Sequence, residues 1–144
     1  MVYPPIDQFA RRCEIVRVVD GDTIEMRIDL GFATWVTEMV RLAGVDTPEM
    51  RGPEAEAGQW VTKQVIEHIG DCRECWIHSQ RFRVDSFRRV IADVWIGGHS
   101  LNTWLVQKGY GWPTDHDGKA LDGRSIEALA LPEGIKQRVR EAMA

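Results

Sequence analysis

"CEIVRVVDGDTIEMRIDL", residues 13–30, is the stretch whose reading decides the fold. Ile24, Met26, Ile28 and Leu30 alternate with Thr23, Glu25, Arg27 and Asp29. That period of two marks a strand with one buried face. An apolar run over 15–19 precedes it, and Asp20-Gly21 between the two is a strong hairpin signal. The chain therefore begins with an antiparallel β-hairpin.

Outward from the hairpin, residues 35–45 read as a third strand, with Gly44 a bend or bulge. Gly52-Pro53-Glu54 opens a helix, because Pro suits a first turn and an acidic residue suits the helix dipole there. Trp60, Val61, Val65 and Ile69 form its apolar face, and Gly70 stops it. "CWIHS" (75–79) and "VIADVWI" (90–96) are two more strands, followed by a Gly97-Gly98 turn. A short helix follows: Ser100 caps it, Leu101, Trp104 and Leu105 share a face, and Gly109 ends it. Residues 113–124 are polar and glycine-rich, hence loop, and 132–143 form a last helix with Ile135 and Val139 inward.

Five short strands with a helix between the third and fourth predict a small OB-type Greek-key barrel. The class is α+β or mainly β, a five-stranded OB-fold with about three helices. A split antiparallel sheet with helices on one face is the alternative topology. One domain is expected over residues 1–144, with 1–12 and 113–144 as extensions of the barrel.

The composition agrees. A chain of 144 residues suits a single core, and 44% apolar with 28% charged residues is globular. No stretch approaches the ~20 apolar residues of a membrane span. The N-terminal "MVYPPIDQFARRCEIV" has no basic region followed by an apolar run, so a cytoplasmic location is the expectation; a monomer without a membrane partner is expected separately. A phage- or plasmid-associated origin stays open. The net charge of −4 argues against a general nucleic-acid coat protein. It leaves room for a local basic groove over 73–89, where Arg73, Arg81, Arg83, Arg88 and Arg89 face only Glu74 and Asp85.

Three cysteines imply no closed disulfide framework. His68, Cys72, Cys75 and His78 have a spacing that zinc accepts. Ordinary packing is the competing role for all four.

The chemistry concentrates in a few charges. Asp22 follows the hairpin turn; Asp46 and Glu49 follow the third strand; Arg41 lies on that strand, and Arg89 opens the fifth. Each has a plain structural reading as a turn residue or surface charge. In a closed barrel all five converge near one end. Asp22 and Asp46 are hard oxygen ligands suited to Ca²⁺ or Mg²⁺. A third carboxylate can take a proton from water. Two guanidiniums can grip phosphate oxygens and stabilise charge developing in a transition state. Three carboxylates against two arginines leave the site at −1, and one divalent ion brings it to +1, ready for an anionic diester.

"VVDGDTI", "VRLAGVDTPE", "GPEA", "DSFRRVIADV" and "LNTWLVQKGYGW" also resemble the staphylococcal-nuclease-like family, or thermonucleases. The resemblance runs from about Glu14 to Trp112. It implies an OB-fold and Ca²⁺-dependent hydrolysis of DNA and RNA to 3′-phosphates, with Mg²⁺ a poorer substitute. By position, Asp22 and Asp46 match the family's calcium carboxylates and Thr47 its carbonyl ligand. Glu49 matches the general base, and Arg41 and Arg89 the phosphate-binding arginines.

The chain departs from that pattern in three places. Arg88 stands where the family has Gly, so Arg88 either assists or replaces Arg89. Only "MRG" separates Glu49 from the helix start, where the staphylococcal enzyme carries a longer loop. No clear counterpart follows Trp112 for that enzyme's base-stacking aromatics; Phe87, Tyr110 and Trp112 are the substrate-stacking candidates, with buried packing the alternative. A second class of function stays open, an OB-fold module that binds nucleic acid or protein without cutting. Retention of the whole charged set favours the enzyme.

Overall fold

The structure is a computed structural model that describes residues 7–72, 74–84 and 88–144. Its first three strands are β1 (Ala10–Asp20), β2 (Thr23–Gly31) and β3 (Thr34–Leu42). They are consecutive antiparallel neighbours. The hairpin turns one residue later than the sequence reading places it: Asp20 still pairs with Thr23, so Gly21-Asp22 makes the turn and Asp22 lies within it, its N–H donating to Asp20 Oδ1 at 3.1 Å. The alternation behaves as its period requires: Ile24, Met26 and Ile28 are buried. Leu30 departs from it, because the strand has run past the core and leaves that side chain exposed.

Strand β3 ends at Leu42, sooner than the apolar run suggests. The left-handed Gly44 (φ 75°) breaks the ladder, and β4 (Val45–Asp46) pairs instead with β8 (Trp112–Pro113). A short helical turn over Gly52–Glu54 leads into α1 (Ala55–Ile69). The buried face of α1 is Ala57, Gly58, Val61, Thr62, Val65 and Ile69, and Gly70 ends it at φ 56°. Trp60 lies at the edge of that face and meets Tyr110 edge-on at 5.0 Å.

Strand β5 (Glu74–Val84) pairs with β1 and β6 (Val90–Ile96), and β7 (His99–Ser100) adds a short edge to β6. The parallel pairing of β3 with β6 through Val40–Val90, Arg41–Ile91 and Leu42–Ala92 closes the barrel. The circuit β1-β2-β3-β6-β5 is the five-stranded OB-type barrel, and the split-sheet alternative falls.

Helix α2 (Leu101–Lys108) is capped by Ser100, whose Oγ accepts from the Thr103 N–H, and is ended by the left-handed Gly109. Its buried Asn102 ties the barrel together. Asn102 Oδ1 accepts from Val94 N–H (2.9 Å), and Nδ2 donates to the Ala43 and Ala92 carbonyls. Helix α3 (Glu133–Met143) docks Ile135 and Val139 against the core. Among the described residues no helix is long and apolar enough to cross a membrane.

Candidate active site

The parallel closure decides where the charges meet. The start of β2 and the end of β3 pair at Thr23–Arg41, and β6 enters beside them. Asp22 is buried, and its Oδ2 accepts from the Thr47 N–H at 2.9 Å. Arg41 points inward: Nη1 donates to the Val45 and Leu42 carbonyls at 2.8 and 3.1 Å and lies 3.3 Å from Asp22 Oδ2. Its Nη2 is 3.6 Å from Asp46 Oδ1. Arg89 Nη1 donates to Thr23 Oγ1 at 3.4 Å, next to Asp22. Thus Asp22, Arg41, Asp46, Thr47 and Arg89 share one end of the barrel, and Glu49 stands at its rim with its side chain 68% exposed.

The turn 45–49 is held by close backbone approach from three sides. A Cβ on Gly21 would lie 2.8 Å from Thr47 Oγ1, and one on Gly111 would lie 3.0 Å from the Asp46 carbonyl oxygen. The tightest contact is at Gly58 on α1, where a Cβ would sit 2.2 Å from the Glu49 carbonyl oxygen and 2.8 Å from that of Pro48. Both neighbours are backbone, so either the helix or the turn must shift. Ala is the better helix former by roughly 1 kcal/mol. Gly58→Ala is nevertheless expected to destabilise the fold by about 1–3 kcal/mol in urea unfolding; a stabilised variant would show that the contact yields freely.

Two groups the sequence reading passed over complete the site. Glu54, read as a dipole-friendly first-turn residue, is buried, and its Oε1 accepts from the Glu49 N–H at 2.9 Å. Arg124, from the loop before α3, pairs with Asp46 Oδ2 at 2.6 Å through Nε and with Glu54 Oε2 at 2.9 Å through Nη1. Its guanidinium lies 4.5 Å over the Trp112 ring. A hydrophilic loop residue 78 positions beyond Asp46 gives no local signal of that pairing. The only hint was an acidic residue at 54, whose burial sequence does not reveal.

The charge balance changes accordingly. Asp20, Asp22, Asp46, Glu49 and Glu54 face Arg41, Arg89 and Arg124, so the fully ionised site is −2 rather than −1. Burial, with the neighbouring Asp22 carboxylate, pushes Asp20 up to about 7. Burial also pushes Asp46 up, and Arg124 beside it opposes that shift. Burial alone would lower Arg124, but the Asp46 and Glu54 carboxylates hold its guanidinium above the ordinary value. Excess negative charge on hard oxygen donors fits a Ca²⁺- or Mg²⁺-type ion. Among the described residues no three His, Cys, Asp or Glu side chains are already grouped to hold a metal, so an ion would draw on the Thr47 carbonyl and water besides carboxylates.

The substrate-binding candidates separate. Arg88 is exposed and left-handed (φ 62°), a conformation glycine adopts without strain, which gives a reason for the Gly expected there. Trp112 is 3% exposed and donates from Nε1 to the Ser125 carbonyl. Tyr110 packs edge-on between Trp60 and Trp104. Trp112 is thus a packed core ring, whereas Tyr110 is only half-buried between its two neighbours. Phe87 lies outside the described residues, as do Arg73 and Asp85 of the basic segment. The four zinc candidates do not gather: His68 stacks on Trp104 at 3.9 Å, His78 bonds Asp7 at 3.0 Å, and the buried Cys75 is paired across strands with Cys13.

A closed OB-type barrel with acidic and guanidinium groups at the mouth of its β1–β2 hairpin is the class that fold and site define. A family model described as staphylococcal nuclease homologue matches residues 39–132, and the chain belongs to that family. The match contains Arg41, Asp46, Thr47, Glu49, Glu54, Arg89 and Arg124, while Asp22 precedes it. The chain is 33% identical over 98 residues to a thermonuclease from Staphylococcus intermedius, covering 66% of this chain and 55% of that protein. It is 28% identical over 128 residues to a micrococcal nuclease from Shigella flexneri, covering 81% and 66%. It is 26% identical over 126 residues to protein ParB from Escherichia coli, covering 77% and 62%. The chain thus spans 55–66% of the length of these relatives.

Proposed function

We propose that this chain is a calcium-dependent nuclease that hydrolyses phosphodiester bonds of DNA, RNA or both and leaves 3′-phosphates. The observation that carries this reading is the gathering of Asp22, Arg41, Asp46, Thr47 and Arg89 around one barrel end, with Glu49 at the rim. Asp22, Asp46 and the Thr47 carbonyl would hold one Ca²⁺. When bound, the ion supplies charge to offset the carboxylates and polarises what touches it.

The remaining roles belong to the chain's own residues. Glu49 is exposed enough to meet water and accepts its proton as the water oxygen attacks phosphorus. The P–O5′ bond breaks, the phosphate stays on the 3′ side, and the departing 5′ oxygen takes a proton from solvent. Arg89 neutralises charge that builds on the phosphoryl oxygens, and Arg88, exposed beside it, would assist on the strand backbone. Arg41 spends Nη1 on three backbone carbonyls and keeps Nη2 at 3.6 Å from Asp46 Oδ1, so it shapes the turn and would meet phosphate through Nη2.

A digest of labelled single-stranded DNA and of RNA tests the reading. Cleavage is expected with Ca²⁺, weaker cleavage with Mg²⁺ and none with EDTA, with end analysis giving 3′-phosphates. Silence in all three conditions would replace the nuclease by an OB-fold binding module.

A further inference from the structure

Arg124 is the least expected member of the site and the most completely bonded. Its Nη1 and Nη2 grip the two Glu54 oxygens at 2.9 and 3.0 Å, in the two-pronged geometry that guanidinium and carboxylate favour. Nε donates to Asp46 Oδ2 at 2.6 Å, and Nη2 also reaches the Thr47 carbonyl at 3.3 Å. These bonds occupy four of the five N–H donors that an arginine carries. One face of the guanidinium is covered by Trp112 at 4.5 Å. Such a group is poorly placed to bind a phosphate and well placed to hold protein groups in fixed directions.

What it holds is the turn that carries Glu49. Asp46 and Thr47 form the near end of that turn. At the far end, Glu54 Oε1 receives both Arg124 Nη2 and the Glu49 N–H. We propose that Arg124 is a positioning residue for the hydrolysis inferred above: braced on Trp112, it grips Asp46 directly and the Glu49 backbone through Glu54, and so fixes where the Glu49 carboxylate stands. The proposal rests on the nuclease reading for its catalytic consequence. Its structural content is independent of that reading. Lysine cannot substitute, because a point charge on a flexible stem cannot bond both Glu54 oxygens and Asp46 in one plane.

The test uses the full chain with Arg124→Lys, which keeps the charge beside the buried Glu54. Should that variant fail to fold, the Arg124→Gln/Glu54→Gln pair is compared with Glu54→Gln alone in the same measurements, so that the change read is the one Arg124 adds beyond the acceptor of the Glu49 N–H. The first readout needs no activity: hydrogen exchange at the Glu49 amide in EDTA is expected to speed up about tenfold, while amides of the β1–β2 ladder stay as in the parent. The second is steady-state cleavage with Ca²⁺, where kcat is expected to fall about 10- to 100-fold with KM within about twofold. Unchanged Glu49 exchange overturns the proposal, and so does faster exchange with unchanged kcat. A parent chain that cuts nothing overturns the nuclease reading instead, and Glu49 exchange then decides alone whether Arg124 holds the turn.

Discussion

Glu49→Gln is expected to lower turnover of single-stranded DNA by about 10²–10⁴, the range that loss of a general base produces. The substitution keeps the size of the side chain and removes only its ability to take a proton. The carboxylate is 68% exposed and its nearest cation, Arg124 Nη2, is 3.8 Å away, too far for a strong pair. The backbone N–H that bonds Glu54 is untouched. Unfolding free energy should therefore stay within about 0.5 kcal/mol of the parent, as for other exposed positions. Single-turnover cleavage with saturating Ca²⁺ gives the rate, and urea unfolding gives the stability. A variant that cuts at the parent's rate would remove Glu49 from the chemistry.

The second large effect is expected at Arg89. Arg89→Ala should cost about 3–4 kcal/mol of transition-state stabilisation, roughly 10²–10³ in kcat. Arg89 opens the strand that closes the barrel, and its Nη1 reaches Thr23 Oγ1 beside Asp22. Arg89→Lys should recover only part of the rate, since a single ammonium cannot match a planar fork on phosphate. The same Ala substitution at Arg88 separates the two neighbours. A larger loss there than at Arg89 would exchange their roles.

Much of this architecture is legible in the sequence, for physical reasons. The hairpin announces itself because its signals are local: alternation within β2, and Asp20-Gly21 leading into the Gly21-Asp22 turn. The ends of α2 are equally local, with Ser100 capping one end and Gly109 turning left-handed at the other. The separation of Val45–Asp46 from β3 is not legible, because it depends on pairing with Trp112–Pro113 far along the chain. Leu30 misleads for a related cause, since alternation says which face a residue takes but not where the core ends. The charges divide the same way. Asp22, Arg41, Asp46 and Glu49 stand out because they cluster in motifs, whereas Glu54 and Arg124 acquire meaning only from each other across 70 positions. The aromatic candidates show the same limit: composition suggests rings for stacking, but only packing reveals that Trp112 and Tyr110 are already engaged.

The three glycines pressed against the turn 45–49 carry a consequence for anyone who would transplant this site. Gly21, Gly58 and Gly111 supply no charge and no hydrogen-bonding side chain, and none belongs to the chemistry. A grafted loop bearing Asp46, Thr47 and Glu49 would still need three empty places in its new host, one in a hairpin turn, one on a helix and one ahead of a short strand. A redesign that copies every functional side chain and fills those places with ordinary residues would import the letters of the site without its spacing.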